Sequence, residues 1–260
     1  MEPIATPRVD FSAAVPLALT LDFSRPHPRH FGAPAASSEA FKVDSFEGDV
    51  ARGASCNCRQ VHLVPHCNGT HTESASHLTI EQRPLQEILP AGPMVALLLT
   101  VAASDALSSG EDSIPAPQAG DRLITRGALL SAWGRHPPGT PRALLLRTGT
   151  DWSDPAPPFL SRQLVQELVA RGVDHLVTDL PSVDRLADEG RLSAHRIFFG
   201  LPADSTRLGD AARASATITE LAAFPAGIPD GPCAVQIQIP AWTGDAVPSR
   251  PLYLPLVAAS

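Results

Sequence analysis

One short segment of the sequence holds most of the side chains that could bind a metal ion. Residues 66–77 contain His66, Cys67, His71, Glu73 and His77, and four of the nine histidines fall within residues 62–77. Imidazole, thiolate and carboxylate groups are the ligands that zinc and similar divalent metals prefer. The segment therefore predicts a divalent-metal site, although a polar loop with surface histidines would have the same composition.

The spacing within this segment indicates which residues could bind a metal and which could act as a catalytic group. In an extended backbone alternate side chains lie on one face, so His71 and Glu73 could hold the same metal. His77 would lie on the same face, because it is an even number of residues from both. A histidine just beyond the ligands is well placed to act as general base on metal-bound water. Gly69 permits a tight bend that would let ligands on both sides converge.

The run from Cys67 to His77 reads C-N-G-T-H-T-E-S-A-S-H. It resembles the H-x-G-T-H-x-D-x-P-x-H signature of the cyclase-like metal hydrolases, which include isatin hydrolase and the bacterial kynurenine formamidase of tryptophan catabolism. Cys67, Glu73 and Ala75 stand where the family has histidine, aspartate and proline. The resemblance implies that His71 and Glu73 are metal ligands and that His77 is the catalytic base.

The first position of the motif is open between two residues. Cys67 occupies it in the gapless alignment, and a thiolate can bind zinc. A one-residue bulge would bring His66 into the site instead, because adjacent residues on a strand point to opposite faces. We expect only one of the two to bind, and the gapless pairing favours Cys67. Glu73 in place of aspartate keeps a carboxylate that can bridge two metals.

Two regions further along the chain resemble the parts of the family that complete the metal site. Residues 178–184 and 194–199 resemble the region in which a histidine follows an aspartate-rich turn, which implies His195 as a ligand. Residues 217–221 resemble the strand that supplies a final glutamate, which implies Glu220. Weaker likeness extends to residues 147–149 and 245–251.

Short apolar runs separated by proline predict the elements that must position these residues. The chain contains 27 prolines, and this punctuation is typical of short strands joined by ordered loops. The alternation and length of the apolar runs predict strands at residues 16–21, 60–64, 95–101, 143–147, 175–178, 195–199, 217–224 and 234–239.

A helix is predicted over residues 162–171, between two of these strands. Ser161 can cap its start and Gly172 can end it. Strand 143–147, this helix and strand 175–178 then form a βαβ unit, which requires a parallel pair of strands. A second helix is predicted from Thr125 to Trp133.

Together these elements predict an α/β fold with a mixed β-sheet, rich in strands and with few helices. The family resemblance implies a swivelling β/β/α-like single domain. Residues 1–55 show little periodicity and are expected to form an N-terminal arm and loops of the same domain. Residues 56–260 are expected to form the metal-hydrolase core.

Composition excludes several classes of function. The net charge is -7 without a cluster of basic residues, so nucleic acid is not an expected partner. The longest apolar run, residues 95–103, is shorter than the ~20 residues that a membrane helix needs. The N-terminus has an acidic residue and prolines before any apolar stretch, which is unlike a secretory signal. We therefore expect a cytoplasmic protein with reduced cysteines and no membrane partner.

The expected function is that of a metal-dependent hydrolase of a small amide, with arylformamidase-type chemistry as the closest known activity. The resemblance implies one or two zinc or manganese ions, a small-molecule substrate and a homo-oligomer, most simply a dimer. Two alternatives stay open. The substrate could be a cyclic amide (lactam) or an ester, or the chain could be a metal-binding or ligand-binding member of the family without turnover.

Overall fold

The computed structural model describes residues 8–136 and 139–257. The N-terminal residues 1–7, which entered the prediction of location, lie outside the described residues. Over the described ranges the chain forms four α-helices, namely α1 (Pro65–Asn68), α2 (Arg126–Trp133), α3 (Arg162–Ala170) and α4 (Ser193–Phe199). None of these helices has the length and apolar character needed to cross a membrane.

The strands are short, as the proline punctuation predicts. In chain order they are β1 (Arg8–Val9), β2 (Val15–Pro16), β3 (Ser37–Ala40), β4 (Lys42–Val43), β5 (Phe46–Glu47), β6 (Arg59–His62), β7 (His71–Ser74), β8 (Met94–Thr100), β9 (Ser104–Asp105), β10 (Arg122–Ile124), β11 (Ala143–Arg147), β12 (Phe159–Leu160), β13 (His175–Thr178), β14 (Thr217–Glu220), β15 (Gly231–Gln238), β16 (Ala246–Pro248), β17 (Arg250–Leu254) and β18 (Leu256–Val257).

Nine of these strands form one mixed sheet, in the order β16-β7-β14-β13-β11-β8-β15-β17-β2. The central strands β14, β13, β11 and β8 are parallel. The strands that extend the sheet at both sides are antiparallel to their neighbours. The predicted mixed, strand-rich α/β fold with few helices is confirmed.

Both faces of the central strands are buried, as expected for parallel strands. Side chains of α2, α3 and α4 pack on one face of the sheet, against Leu97, Leu144 and Ile218. The alternate residues of the same strands, such as Leu98 and Leu145, form a second core on the other face. This double burial makes the centre of the sheet a rigid base for the loops at its edge.

The predicted βαβ unit is confirmed. Strands β11 and β13 are parallel and adjacent, with Ala143 opposite His175. The hydroxyl of Ser161 accepts a hydrogen bond from the backbone N–H of Leu164 and so caps α3. The second predicted helix is also confirmed, because α2 begins after Thr125, whose side chain caps it.

The predicted strand at residues 195–199 is wrong, since these residues belong to α4. Asp184 accepts hydrogen bonds from the backbone N–H groups of Ala194 (2.8 Å) and His195 (3.1 Å) at the start of this helix. Ala194 and Phe198 are buried four residues apart, which is the period of a helix. A short apolar run does not by its length distinguish a helix from a strand.

The extended conformation considered for residues 71–77 and the strand predicted at residues 217–224 both end early. Only His71–Ser74 of residues 71–77 is extended, because the chain turns into a 3-10 helix at Ala75–His77, capped by the hydroxyl of Ser74. The strand predicted at residues 217–224 ends at Glu220, where Leu221 adopts a left-handed conformation with φ of 54°. Both turns lie beside predicted site residues.

The N-terminal residues pair with the rest of the chain in three places. β1 pairs with β18, β2 with β17, and β3 with β6. β2 is thus an edge strand of the nine-stranded sheet. The division of the chain at residue 55 stays a prediction.

His175 is a fully buried titratable group at the start of β13. One ring nitrogen, Nδ1, lies 2.9 Å from the hydroxyl of Thr217. Burial lowers the pKa of His175 to about 4, with the nearby charges of Asp174, Arg142 and Arg213 as smaller effects. The histidine is therefore neutral in the folded protein at pH values where it binds a proton in the unfolded chain.

This difference predicts a pH-dependent loss of stability. Below the unfolded pKa of about 6.5 the unfolded chain gains a proton that the folded protein does not bind, so the free energy of unfolding falls as the pH drops towards 4. We expect His175 to contribute a loss of roughly 2 kcal/mol between pH 7 and pH 5. Urea unfolding at both pH values, in the wild type and in His175→Gln, would measure it. Because every other group titrates in both proteins, equal pH slopes would contradict this role of His175.

Candidate metal centre

The sheet brings three of the predicted site residues together at one edge. His71, the first residue of β7, lies opposite Glu220, the last residue of β14. Glu73 lies opposite Ala246 on the other side of β7. These contacts follow from strand pairing, so the backbone itself sets the positions of His71, Glu73 and Glu220.

Glu73 lies at the middle of the cluster. One carboxylate oxygen, Oε2, is 3.0 Å from Nδ1 of His66, which α1 supplies. The other oxygen, Oε1, is 2.8 Å from Nε2 of His195, which α4 supplies. A single buried carboxylate thus lies between two imidazoles that come from different parts of the chain.

Glu220 forms a second link between histidines. Its oxygen Oε2 is 3.5 Å from Nε2 of His71, and Oε1 is 3.6 Å from Nε2 of His195. The backbone N–H of Val183 donates a 2.8 Å hydrogen bond to Oε1 and holds the carboxylate in place. The structure therefore brings together His66, His71, Glu73, His195 and Glu220 among the predicted ligands.

The outward ring nitrogen of each of these histidines has its own acceptor. Nδ1 of His71 donates to the carbonyl oxygen of Gly69 at 3.0 Å. Nδ1 of His195 lies 2.7 Å from the buried carboxylate of Asp184. Nε2 of His66 lies 2.8 Å from the carboxylate of Asp245. The other nitrogen of each ring faces Glu73 or Glu220, which is how proteins orient histidine ligands towards a metal.

The buried atoms at the centre test whether the site fits a metal ion. Nε2 of His71, Nε2 of His195 and both oxygens of Glu73 are buried and lack a hydrogen bond of good geometry. Buried polar atoms are almost always partnered, so four such atoms in one cluster require an explanation. Ligand atoms around a tetrahedral ion at about 2.0–2.2 Å lie about 3.4 Å apart, close to the separations observed here. The donor set fits a divalent ion such as zinc or manganese.

The grouping of the donors has room for one or two ions. His66, His71 and Glu73 have ligand atoms within 4.8 Å of one another, and so do Glu73, His77 and His195. Glu73 belongs to both groups. A third such group is formed by His66, His77 and Asp245. Glu220 belongs to none of the three groups found among the described residues.

Cys67 and His66 are adjacent on α1, and the structure places them differently. A helix turns its side chains by about 100° per residue, so two neighbours cannot face the same point. The sulfur of Cys67 belongs to none of the donor groups found in the described part of the chain, and burial raises the pKa of its thiol. The geometry favours His66 over Cys67, because residues 65–68 form a helical turn. The ligand roles stay predictions.

His77 lies at the boundary between the donor cluster and solvent. The 3-10 turn carries it to within 4.8 Å of the donor atoms of Glu73 and His195. Its Nδ1 is 3.6 Å from the carboxylate of Asp245. Its side chain is 24% exposed, which leaves it open to water or to a substrate.

The charges in the cluster depend strongly on one another. Burial alone would raise the pKa of Glu73, but the charges of His77 and His195 and contact with His66 and His195 lower it well below its usual range. Burial opposes protonation of His66, but Asp245 and Glu73 raise its pKa to about 10. The pKa of His195 is likewise raised, against burial, by Glu73, Asp184 and Glu220. Glu73 is therefore ionised, and its field favours cations at the positions around it.

A cavity of about 490 Å³ opens on the cluster. Its lining includes the cluster residues His66, Glu73, His77, His195 and Glu220, and also Phe31 and loop residues 186–190 and 192. Its volume is that of a small-molecule site. Asn68 donates hydrogen bonds of 3.1 Å to the carbonyl oxygens of Pro28 and Pro34, and so holds the Phe31 loop over the cavity.

Strained backbone surrounds this cavity. Phe31, Glu189 and Leu192 line it and have positive φ, although none of them is glycine. Leu221, which follows the ligand candidate Glu220, also has positive φ. Such conformations cost about 1–3 kcal/mol each and cluster at functional sites. Their position supports this cavity as the candidate functional face of the domain.

Sequence reasoning missed three residues of the site. Asp184 and Asp245 lie in segments that resemble the family, but a resemblance of segments does not indicate which side chain contacts a histidine. Phe31 carries no signal in the sequence, because only the hydrogen bonds of Asn68 bring its loop to the cavity.

Comparison with known sequence families identifies the chain. A family described as "Putative cyclase" matches residues 12–185. Since the match covers more than half of the sequence, the chain belongs to the Cyclase family. A comparison with curated proteins gives no match.

Solved structures share the fold. A predicted metal-dependent hydrolase from Bacillus stearothermophilus is 14% identical, with a TM-score of 0.59 over 93% of this chain and 97% of that one. Isatin hydrolase A from Labrenzia aggregata, bound to benzyl benzoate, is 16% identical with a TM-score of 0.59 over 93% of both chains. Isatin hydrolase A from Ralstonia solanacearum is 16% identical with a TM-score of 0.59, over 93% and 91%. At these identities the likeness shows a common fold.

The adjacent pair His66 and Cys67 allows a sharp test of the metal site. We expect His66→Ala to weaken zinc or manganese binding by more than about 100-fold, since losing even an outer partner of a ligand costs 10–100-fold. Cys67→Ala should keep wild-type affinity, because its thiol is outside the donor groups. Competition with a chromophoric chelator would measure both affinities after the metal is stripped and restored. Loss of binding in Cys67→Ala with retention in His66→Ala would instead make Cys67 the ligand.

Proposed function

We propose that this member of the Cyclase family is a metal-dependent hydrolase that cleaves small amides, with arylformamidase-like chemistry. One observation carries the proposal. His66, His71 and His195 each have the outward nitrogen held by an acceptor and the inward nitrogen facing the buried carboxylates of Glu73 and Glu220. The cluster opens on a cavity of small-molecule size. An inert structural metal site would not need that opening.

In the proposed reaction, one or two zinc or manganese ions would be held by His66, His71, Glu73, His195 and Glu220. A bound ion of this kind lowers the pKa of its water to about 7 and polarises a carbonyl oxygen. The protein supplies the orientation of its ligands through Asp184, Asp245 and the carbonyl of Gly69. Rigid ligands keep the geometry constant while charge develops.

His77 is the proposed general base and acid. It borders both the donor cluster and the cavity, so it can contact the attacking water and the leaving group. It would accept a proton from the water as the new C–O bond forms. It would then return that proton to the amide nitrogen as the C–N bond breaks, which yields an amine and a carboxylic acid.

Replacement of this base should separate chemistry from metal binding. We expect His77→Ala to reduce kcat by about 10²–10⁴-fold, which is the usual contribution of a positioned acid–base group, while it keeps the metal content of the wild type. Steady-state hydrolysis of N-formylkynurenine, formanilide and isatin, with metal analysis of the same preparations, would measure both quantities. Full activity in His77→Ala would contradict the role of His77, and loss of its metal would make His77 a ligand.

The same assays decide between an enzyme and a protein that only binds. A wild type that is loaded with metal but hydrolyses no amide, lactam or ester would favour the non-catalytic alternative. Less than half an equivalent of metal after reconstitution would argue against the metal site itself. Each result excludes a different part of the proposal.

A second candidate, hydrolysis of an uncharged cyclic amide, is favoured by the charge of the cavity wall. Among the described residues that line it, none is lysine or arginine, whereas Asp188 and Glu189 add negative charge beside Phe31, Leu186 and Leu192. A substrate carboxylate would find neither lysine nor arginine beside Asp188 and Glu189. Aryl amides or lactams without a carboxylate suit such a surface better than a formanilide that carries one.

The wall therefore predicts discrimination by charge. We expect kcat/KM for formanilide or isatin to exceed that for 2-formamidobenzoate, which adds a carboxylate alone, by about 10-fold or more, a difference of about 1.4 kcal/mol, because that carboxylate would face Asp188 and Glu189. Leu186→Arg should raise kcat/KM for 2-formamidobenzoate, and Leu186→Gln, a polar control without charge, should not. Equal values for neutral and carboxylate-bearing substrates in the wild type would refute this selectivity but not the hydrolase function.

A further inference from the structure

One carboxylate outside the proposed ligand set contacts two imidazoles at once. The oxygen Oδ2 of Asp245 is 2.8 Å from Nε2 of His66 and 3.6 Å from Nδ1 of His77. The two rings lie close together, with centroids 4.1 Å apart and planes tilted by 33°. A single atom of Asp245 therefore lies between a candidate metal ligand and the candidate base.

The backbone of Asp245 is fixed by the sheet. Its carbonyl oxygen accepts a 3.4 Å hydrogen bond from the N–H of Ser74, and the next residue, Ala246, pairs with Glu73. Asp245 thus precedes β16 at the level of the donor cluster. The two histidines are its only ion-pair partners within the described residues.

We propose that Asp245 is a positioning residue that orients both His66 and His77, an inference that rests on the proposed function. By accepting the Nε2 proton of His66, the carboxylate leaves the Nδ1 lone pair directed towards Glu73 and the metal position. With its carboxylate 3.6 Å from Nδ1 of His77, Asp245 favours a proton on that nitrogen by its charge, which leaves Nε2 of the ring free to take a proton from water. Asp245 acts through both rings and does not itself contact the substrate.

The comparison with Asp184 shows why this role is distinct. Among the histidines of the cluster, Asp184 contacts only His195, and its side chain is 5% exposed. The side chain of Asp245 is 46% exposed and is shared between two rings with different roles. Loss of Asp245 should therefore affect metal binding and proton transfer together, whereas loss of Asp184 should act on His195 and the start of α4 without contact to His77.

Four variants separate these effects: Asp245→Asn, Asp245→Glu, His77→Ala and the double variant Asp245→Asn/His77→Ala. We expect Asp245→Asn to weaken zinc or manganese binding by 10–100-fold and to lower kcat at saturating metal by about 10-fold or more. Asp245→Glu, which keeps the charge, should recover part of both. Asp204→Asn removes an exposed carboxylate outside the cavity lining and is the matched control.

The double variant tests whether Asp245 acts through His77. In the His77→Ala background, Asp245→Asn should cause no further loss of kcat at saturating metal, although it should still weaken metal binding. Losses of kcat that multiply in the double variant would overturn the link to His77. Wild-type affinity in Asp245→Asn would overturn the link to His66.

A readout without substrate keeps the inference apart from the proposed reaction. In ¹⁵N-histidine NMR spectra of the metal-loaded protein, His77 should carry its proton on Nδ1 in the wild type and lose this preference in Asp245→Asn. If the wild type hydrolyses no substrate but the spectra and affinities change as expected, the proposed function fails and the role of Asp245 stands. An unchanged His77 tautomer in Asp245→Asn would refute the role whatever the activity.

Discussion

The burial of the Glu73 carboxylate is the constraint on which the rest of the site depends. Glu73 has no exposed surface, and an isolated carboxylate in such a place is unstable unless cations or hydrogen-bond donors compensate it. The compensation comes from His66 and His195, which lie at 3.0 and 2.8 Å and belong to separate short helices. The folded chain must therefore hold α1 and α4 against β7, or it leaves a charge uncompensated in its interior.

The sheet fixes the position of Glu73 through antiparallel strands that are added to its parallel centre. β7 is only four residues long, yet it is paired on both sides, with β14 and β16. Hydroxyl groups reinforce the pairing, since Thr72 and Thr219 form a 2.7 Å hydrogen bond and Thr70 donates to the carbonyl of Leu221. Paired strands leave little freedom to the backbone of Glu73, so the charge stays where the helices deliver their histidines.

The sequence predicts this arrangement well where local rules decide it and poorly where distant contacts do. The helix over residues 162–171 and the strands at 143–147 and 175–178 follow from period, capping and length, and the structure has them within one residue. The run at residues 195–199 has no such local signal, because the contact that starts α4 comes from Asp184.

In the candidate site, too, local geometry predicts some features and distant contacts decide the others. The spacing of His71 and Glu73 on one strand face predicts their closeness from local geometry. The choice between His66 and Cys67 depends on whether residues 65–68 form a strand or a helical turn, and four residues are too few for periodicity to decide. The gapless alignment with the family motif pairs residues by their order in the sequence. A helical turn rotates each successive side chain by about 100°, so this pairing alone cannot show whether His66 or Cys67 is the ligand.

The two sides of the site differ in how firmly they are held, and the difference has a functional consequence. His195 is buried, and its outward nitrogen is bound to the buried Asp184. His66 and His77 face the cavity and share the half-exposed Asp245. A rigid side keeps ligand geometry constant, whereas a side open to solvent can exchange protons and admit a substrate. Strained residues such as Phe31 and Leu192 lie around the open side. Backbone strain is therefore concentrated where a substrate would enter, and close packing is found where the proposed metal would be held.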